Sequence, residues 1–467
     1  METVSAERFG GRDAGGLLAF LRYCRGRAEA ENRARVGSIS LRVRDLDPLA
    51  VLRAIQEPGE PHLYWERSPV AVSGAESVAL FEATGPGRFA GGSGFVEDWT
   101  ERIVATGDLD GWFAGPLFFH AFSFADANEP ACTVFLPKWQ VCRSESECVA
   151  VANVRVEPGM ELEPEAGRIL RAHARFSAMD FGVGGEPSPT EPPVPTAEEP
   201  DLFLARVRRV LESIAAGSLS KIVVSRWMDL VAAADYRPLE VLRELRETYP
   251  DCFSFSYSRG AGASWIGATP ERLVRQRGDR FETEAIAGSA PRGKDLATDT
   301  ALGKELLSGD KDLREHALVV RAIEEALRGV GREPEVARYP HLLRLSNVQH
   351  LRTPVAGKRE PGVPLLRMAE ALHPTPAVGG VPRDAAPGVI AGLEPFSRGL
   401  YSGFLGWEKP GGDGDLVVAL RTARVEANRA RLFAGAGIVE GSDPDRELRE
   451  TEIKLRAMSR ALAACRT

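Results

Sequence analysis

LFAGAGIVEGSDPDRELRETEIKLRAM, residues 432–458, opens as a short apolar strand, crosses Gly435-Ala436-Gly437 and turns into a helix. Asp443 suits the N-cap and Pro444 the first helical position, where a missing N–H costs nothing. At about 100° per residue, Arg446, Arg449, Arg456 and Arg460 fall on one side of that helix. Leu448, Leu455, Met458 and Leu462 form its apolar stripe. Glu447, Glu450 and Lys454 border the stripe. An i,i+4 Glu450–Lys454 surface pair is one reading. The other is that charged groups beside a buried seam require a partner there.

A second helix, near residues 310–328, has the same character. Glu315 falls within the stripe of Val319, Ala322, Ile323 and Ala326, whereas Arg321, Glu324 and Glu325 point elsewhere. Two helices that each bring a carboxylate to a buried edge suit a hard divalent cation. Mg²⁺ is the natural candidate, because it is held by one or two carboxylates together with substrate and water.

Outward from these helices, a series of motifs follows in one order: KIVVSR (221–226), ATPERL (268–273), AIAGSAPRG (285–293), REH (314–316), VQHLRT (348–353), LHPTPAVGGVP (372–382), EPFSRGLYSGFLGW (394–407), GDGDLVVALRTA (412–423) and AGAGIV with RETEIK (434–454). They resemble the chorismate-utilising enzymes, in particular the isochorismate synthases of the menaquinone type, over the whole region after about residue 200. FLPKW (135–139) and YWERSPVAVSGA (64–75) extend that resemblance to the N-terminal part. It implies an α+β chorismate-binding fold of the anthranilate synthase component I kind, with large sheets flanked by helices.

Composition is compatible with this. A 43% hydrophobic, 27% charged chain of 467 residues is that of a globular protein able to bury a sizeable core. A net charge of −7 offers no electrostatic footprint for nucleic acid. No apolar run approaches the roughly 20 residues of a membrane span, and residues 1–16 are polar and glycine-rich, unlike a signal peptide. The six cysteines show no C-x-x-C or zinc spacing. The expectation is a cytoplasmic protein with free thiols.

Along the chain, residues 1–181 read as a mixed half of the fold, 182–200 as a Pro/Gly-rich extended linker, and 201–467 as the chorismate-binding catalytic region. A helix is expected over 13–33, strands over 35–43 and 77–84, and a helix over 95–105. GPGRFAGGSG (85–94) contains G-x-G-x-x-A, but Pro86 in the turn and the following glycines speak for a flexible loop rather than a dinucleotide fingerprint. Further expectations are paired strands over 117–124 and 132–136, a helix over 201–216 closed by Gly217, and a strand over 221–226. Strands over 253–258 and 264–266 precede a hairpin about residues 277–280. A short helix over 385–393 and strands near 401–407 and 415–425 complete the reading. Strands and helices without regular alternation argue α+β.

The resemblance also implies roles. The family reaction adds water at ring carbon 2 of chorismate and expels the hydroxyl at carbon 4, which calls for a base, an acid and a dicarboxylate anchor. Lys221, at the head of an apolar strand where desolvation favours the neutral amine, matches the base. By itself it would equally suit a strand-end lysine that blunts aggregation. Glu271 matches the general acid, which requires a raised pKa. Glu315 and Glu450 match Mg²⁺ ligands, with Glu447 a partner through water. Arg421, helped by Tyr401 and the backbone at Gly435 and Gly437, matches the anchor of the pyruvyl carboxylate, with Lys454 a second cation. Ala287, Gly288 and Ser289 would offer N–H groups to the other carboxylate. His350, Ala377 and His373 stand in site-shaping loops.

Alanine at 287 departs from the lysine of relatives that attack through an amine. HPTPA (373–377) resembles isochorismate synthases, although Gly379 stands where cysteine is common. Tyr401 is also compatible with salicylate synthases, the alternative reading, and a siderophore-pathway isochorismate synthase is a further one. No Leu-Leu-Glu-Ser run for tryptophan feedback is present. No glutamine amidotransferase subunit is expected, and the assembly is expected to be a monomer or weak dimer acting on a small molecule.

Overall fold

The computed structural model describes residues 1–10, 13–128, 130–178, 192–260, 262–330 and 333–464. Most of the expected linker, 182–191, lies outside the described residues. Its remainder includes the exposed strand Val194–Ala197, which pairs with Met228–Val231.

The strands form one hydrogen-bonded ladder that crosses the boundary near residue 200. From Val194–Ala197 it runs through Lys221–Val231, Arg429–Ile438, Thr422–Glu426, Ala263–Thr269, Phe253–Ser258 and His62–Arg67 to Val70–Ala83. Val70–Ala83 pairs with the long strand Cys132–Arg143, and there the ladder branches. Residues 139–143 continue into Cys148–Val156, Arg35–Arg42 and Ile103–Gly107. Residues 132–135 continue into Phe118–Phe122, Phe404–Glu408, Gly414–Val418, Arg272–Arg277, Arg280–Pro291 and Val348–Lys358.

The two wings close on an aromatic core. Trp65 of one wing meets Trp407 of the other at 6.1 Å between ring centroids, edge to face, and Phe119, Phe135, Phe253 and Phe255 are fully buried around them. Helices cover the outer faces. Asp310–Arg328, Arg88–Arg102 and Leu365–Leu372 share a core with the wing that carries Arg272–Arg277. Pro48–Ile55, Pro238–Thr248 and the C-terminal helix Pro444–Ala464 share one with the wing that carries Ala263–Thr269. Asp443 caps the C-terminal helix through the Arg446 N–H at 2.7 Å, and Leu455, Met458 and Leu462 of the expected stripe are buried. No helix among the described residues is long and apolar enough to cross a membrane.

Two local expectations are corrected. The helix placed at 95–105 is Arg88–Arg102, so most of the glycine-rich loop is its first turns, and 103–107 is a strand. Two of the glycines, Gly91 and Gly92, sit inside the helix because packing demands them, whereas Gly94 faces open space. A Cβ on Gly91 would lie 2.6 Å from the Phe81 ring, and one on Gly92 3.0 Å from Leu366. Tertiary contact overrides their poor helix propensity. The strand read over 415–425 is two, Gly414–Val418 and Thr422–Glu426. The chain breaks at Arg421, whose φ of 46° is left-handed, a conformation non-glycine residues hold only when their surroundings impose it.

Candidate active site

The free ends of the two wings meet around a pocket of about 740 Å³, part of it open to solvent. Strands Lys221–Val231 and Arg429–Ile438 form one wall, and Arg280–Pro291 and Val348–Lys358 the other. Helices Asp310–Arg328 and Pro444–Ala464 bring their carboxylates to its edge. Lys221, Glu271, Ala287, Gly288, Ser289, Glu315, His350, Ala377, Tyr401, Arg421, Gly435, Gly437, Glu450 and Lys454 all line it. Glu447 lies just behind, fully buried.

Lys221 is buried, and its Nζ stands 2.9 Å from Glu315 Oε1. Gly437, opposite Val223 in the ladder, makes room for that contact. Lys454 donates to the Gly435 carbonyl at 2.9 Å and pairs with Glu450 at 2.7 Å, so the pair read from the helix exists, facing the pocket rather than bulk solvent. Burial pushes the pKa values of Glu315 and Glu450 upward, but the lysines outweigh it and both carboxyls lie below their ordinary range.

Glu271 behaves oppositely. Burial, aided by the Glu284 carboxylate, pushes its pKa up to about 8, although the Thr375 hydroxyl donates to it at 3.3 Å. It is therefore a neutral acid at neutral pH, able to donate.

Arg421 is buried, donates to Cys252 Sγ at 3.8 Å and to His350 Nε2 at 3.1 Å, and has no carboxylate within ion-pair distance among the described residues. A guanidinium can only donate, so His350 is neutral at Nε2 and protonated at Nδ1. Burial and then the Arg421 charge hold its pKa well below the usual range. Nδ1 then donates to Ser289 Oγ at 3.0 Å. A hydrogen-bonded chain thus runs from the arginine through His350 to Ser289, beside the acidic edge. Gly288 takes a φ of 76° at a β-bulge between Ala287 and Ser289, which turns the local backbone toward the pocket. Tyr401 stacks on Phe433, with ring centroids 5.2 Å apart and a 10° interplanar angle.

Not all of the site was foreseen. Lys311 Nζ lies 3.1 Å from Glu447 Oε1 and 3.5 Å from Glu315 Oε2. Its i,i+4 spacing to Glu315 was the available signal. Burial, then repulsion from Glu450, pushes the Glu447 pKa up to about 7, a sign of crowded negative charge. Among the described residues no three His, Cys, Asp or Glu side chains converge as a ready cage for a metal. Phe433, Thr375 and Glu284 were not singled out either. His373, read as site-shaping, is absent from the pocket lining. It packs against Phe89, Phe124 and Phe404 and donates to the Phe124 carbonyl at 3.2 Å, because its loop turns the ring into the apolar interior.

This fold and pocket define a chorismate binding enzyme: the family profile matches residues 20–463, and the chain belongs to that family. It is 35% identical to the salicylate biosynthesis isochorismate synthase of Pseudomonas aeruginosa over 94% of this chain and 92% of that protein. MenF, the menaquinone-specific isochorismate synthase of Escherichia coli, superposes with a TM-score of 0.76 at 27% identity, covering 92% of this chain and 94% of that one. Anthranilate synthase component I of Streptococcus pneumoniae shares the fold, with a TM-score of 0.67 at 22% identity over 84% of this chain and 93% of that one.

Proposed function

We propose that the protein is an isochorismate synthase, an isomerase that adds water at C2 of chorismate and releases the C4 hydroxyl. The observation that carries this reading is Glu271, held protonated at neutral pH in the same pocket as Lys221. Lys221 in its neutral form, having given its proton to solvent or to Glu315, takes a proton from water as the water oxygen bonds to C2. Both conjugated ring double bonds shift, from C1=C2 and C5=C6 to C1=C6 and C4=C5, the C4–O bond breaks, and Glu271 protonates the departing hydroxyl. Arg421, a buried cation with no acidic partner among the described residues, receives the pyruvyl carboxylate, flanked by Tyr401 and the Gly435–Gly437 backbone. The bulge at Ala287, Gly288 and Ser289 faces the ring carboxylate.

The acidic edge suits Mg²⁺. Its donors are hard carboxylate oxygens, and the repulsion from Glu450 that, after burial, raises the Glu447 pKa is what a divalent cation relieves. Glu315 and Glu450 would hold the metal, with Glu447 behind them. When bound, the ion shields the charge of the ring carboxylate. Lys454, paired with Glu450, sits where it steadies that ligand.

The product is assigned to menaquinone supply, a reading supported by the fold-wide likeness to the Escherichia coli enzyme. The Pseudomonas aeruginosa relative, similar over nearly its whole length, favours a second reading in which the product feeds salicylate. The test is product identification: purified protein with chorismate and Mg²⁺, with and without ammonium, resolved by chromatography and NMR. Isochorismate without pyruvate is expected. Salicylate with pyruvate would move the protein to the lyase branch, and an ammonium-dependent amino product would overturn the water-adding role of Lys221.

A further inference from the structure

The strand that carries Lys221 is paired along one edge with Arg429–Ile438, but its other edge is only partly covered by strands. Gly380–Val381 pairs with Lys221 and Ile222, and Val194–Ala197 pairs from Met228 onward. Between them the backbone of Val223 and Ser225 faces no strand. An unpaired edge buried there would cost several unmade hydrogen bonds. Side chains fill the gap. The Ser225 N–H donates to Glu394 Oε1 at 2.8 Å, and the Val223 carbonyl accepts from Arg398 Nη2 at 2.9 Å. The Ser225 carbonyl accepts from Arg206 Nη2 at 3.0 Å. The Val223 N–H is met by the Gly379 carbonyl at 2.8 Å.

Glu394 and Arg398 form a two-pronged ion pair, 2.6 and 2.7 Å, with both side chains 2% exposed. Arg398 reaches further than its partner. Nη1 donates to the Val378 carbonyl at 2.8 Å, in the loop that brings Ala377 and Val378 to the pocket. Its guanidinium lies 5.8 Å from the Tyr401 ring centroid, and its carbonyl accepts the Tyr401 N–H at 3.0 Å. One guanidinium therefore touches three segments that line the pocket, while itself lining none of it.

We infer that Glu394 and Arg398 are positioning residues, which set the Lys221 strand, the Ala377–Gly379 loop and Tyr401 in mutual register for the water-addition reaction, a role that rests on the function proposed above. A buried ion pair adds little net stability compared with apolar residues of like volume, so its use here is geometric. Replacement therefore costs stability only through the backbone groups it leaves unpaired, and its specific effect is on turnover.

The experiment is an apolar exchange, Glu394→Leu with Arg398→Met, beside Arg398→Lys alone, read by melting temperature, chorismate KM, kcat and amide hydrogen exchange over residues 221–226. The double variant is expected to fold but to melt below the parent, because the backbone groups of Val223, Ser225 and Val378 lose their partners, to lose about 100-fold in kcat with KM changed far less, and to exchange the Val223 and Ser225 amides faster than the rest of the chain. Arg398→Lys, which keeps the charge but cannot reach all three segments, is expected to fall between the two. A double variant with parental kcat overturns the inference, as does one in which kcat and melting temperature fall together with uniform loss of amide protection. If the double variant does not fold, Arg398→Lys decides alone: parental kcat overturns the inference, and a kcat loss at unchanged KM supports it. If the parent itself makes no isochorismate, the proposed reaction fails, whereas loss of amide protection confined to residues 221–226 still reports the positioning.

Discussion

Lys221 Nζ and Glu315 Oε1 face each other at 2.9 Å across the backbone of Gly437. The contact exists because residue 437 has no side chain: a Cβ there would lie 2.3 Å from Glu315 Oε1 and 3.0 Å from Lys221 Cε. Gly437→Ala should therefore push the two groups apart while leaving the ladder paired. The expected result is a loss of about 100-fold in turnover with a near-parental circular dichroism spectrum, since a 1 Å displacement of a reacting group costs about that much. Parental turnover would show that this contact is not needed.

Glu271 must be protonated to release the C4 hydroxyl, and its pKa lies at about 8. Activity limited by this group is present below that pH and lost as pH rises through it. Glu284→Gln removes the repulsion that helps hold the proton, so the alkaline limb of kcat/KM should move to lower pH. A limb unmoved in this variant would take Glu284 out of the account.

Arg421 and His350 act as donor and acceptor. Arg421→Met should raise KM for chorismate by about 100-fold, the scale expected when a buried charge partner of a carboxylate is lost. His350→Phe removes the acceptor that aims the guanidinium and should give a smaller rise in KM. Steady-state kinetics with folded variants checks both, and an unchanged KM in Arg421→Met would place the carboxylate elsewhere.

Lys311 offsets the charge of Glu315 and Glu447. Lys311→Met should lower the melting temperature in chelator, restore it on addition of Mg²⁺, and tighten Mg²⁺ binding measured by calorimetry, because the carboxylates lose their resident cation. Glu450→Gln should weaken the same titration. An unchanged titration in Glu450→Gln would remove that residue from the metal site.

Much of this was legible in the chain. The cap at Asp443, the hairpin turn at residues 277–280 and the apolar stripes of both helices are local signals, read from spacing. The motif order brought a family expectation, and the residues it pointed to, apart from Glu447 and His373, line one pocket. What was missed has a common cause. The glycine-rich helix Arg88–Arg102 looked like a loop because Gly91 and Gly92 are required by contact with Phe81 and Leu366, which sequence distance hides. His373 stood in a motif but turned into the aromatic interior.

By itself the sequence determined the periodicities, caps and turns, since those depend on residues within one or two turns of each other. It also carried the residue types the chemistry needs. Only the tertiary structure decided how they act: the pairing of Lys221 with Glu315, the placement of Lys311 among the carboxylates, the left-handed backbone at Arg421, and the ion pair that completes the strand edge at Val223 and Ser225. Each of these joins segments far apart in the chain, or a backbone state imposed by them. They exist only once the two wings of the ladder close, because burial is what makes an unpaired charge or an open strand edge costly enough to demand a particular partner.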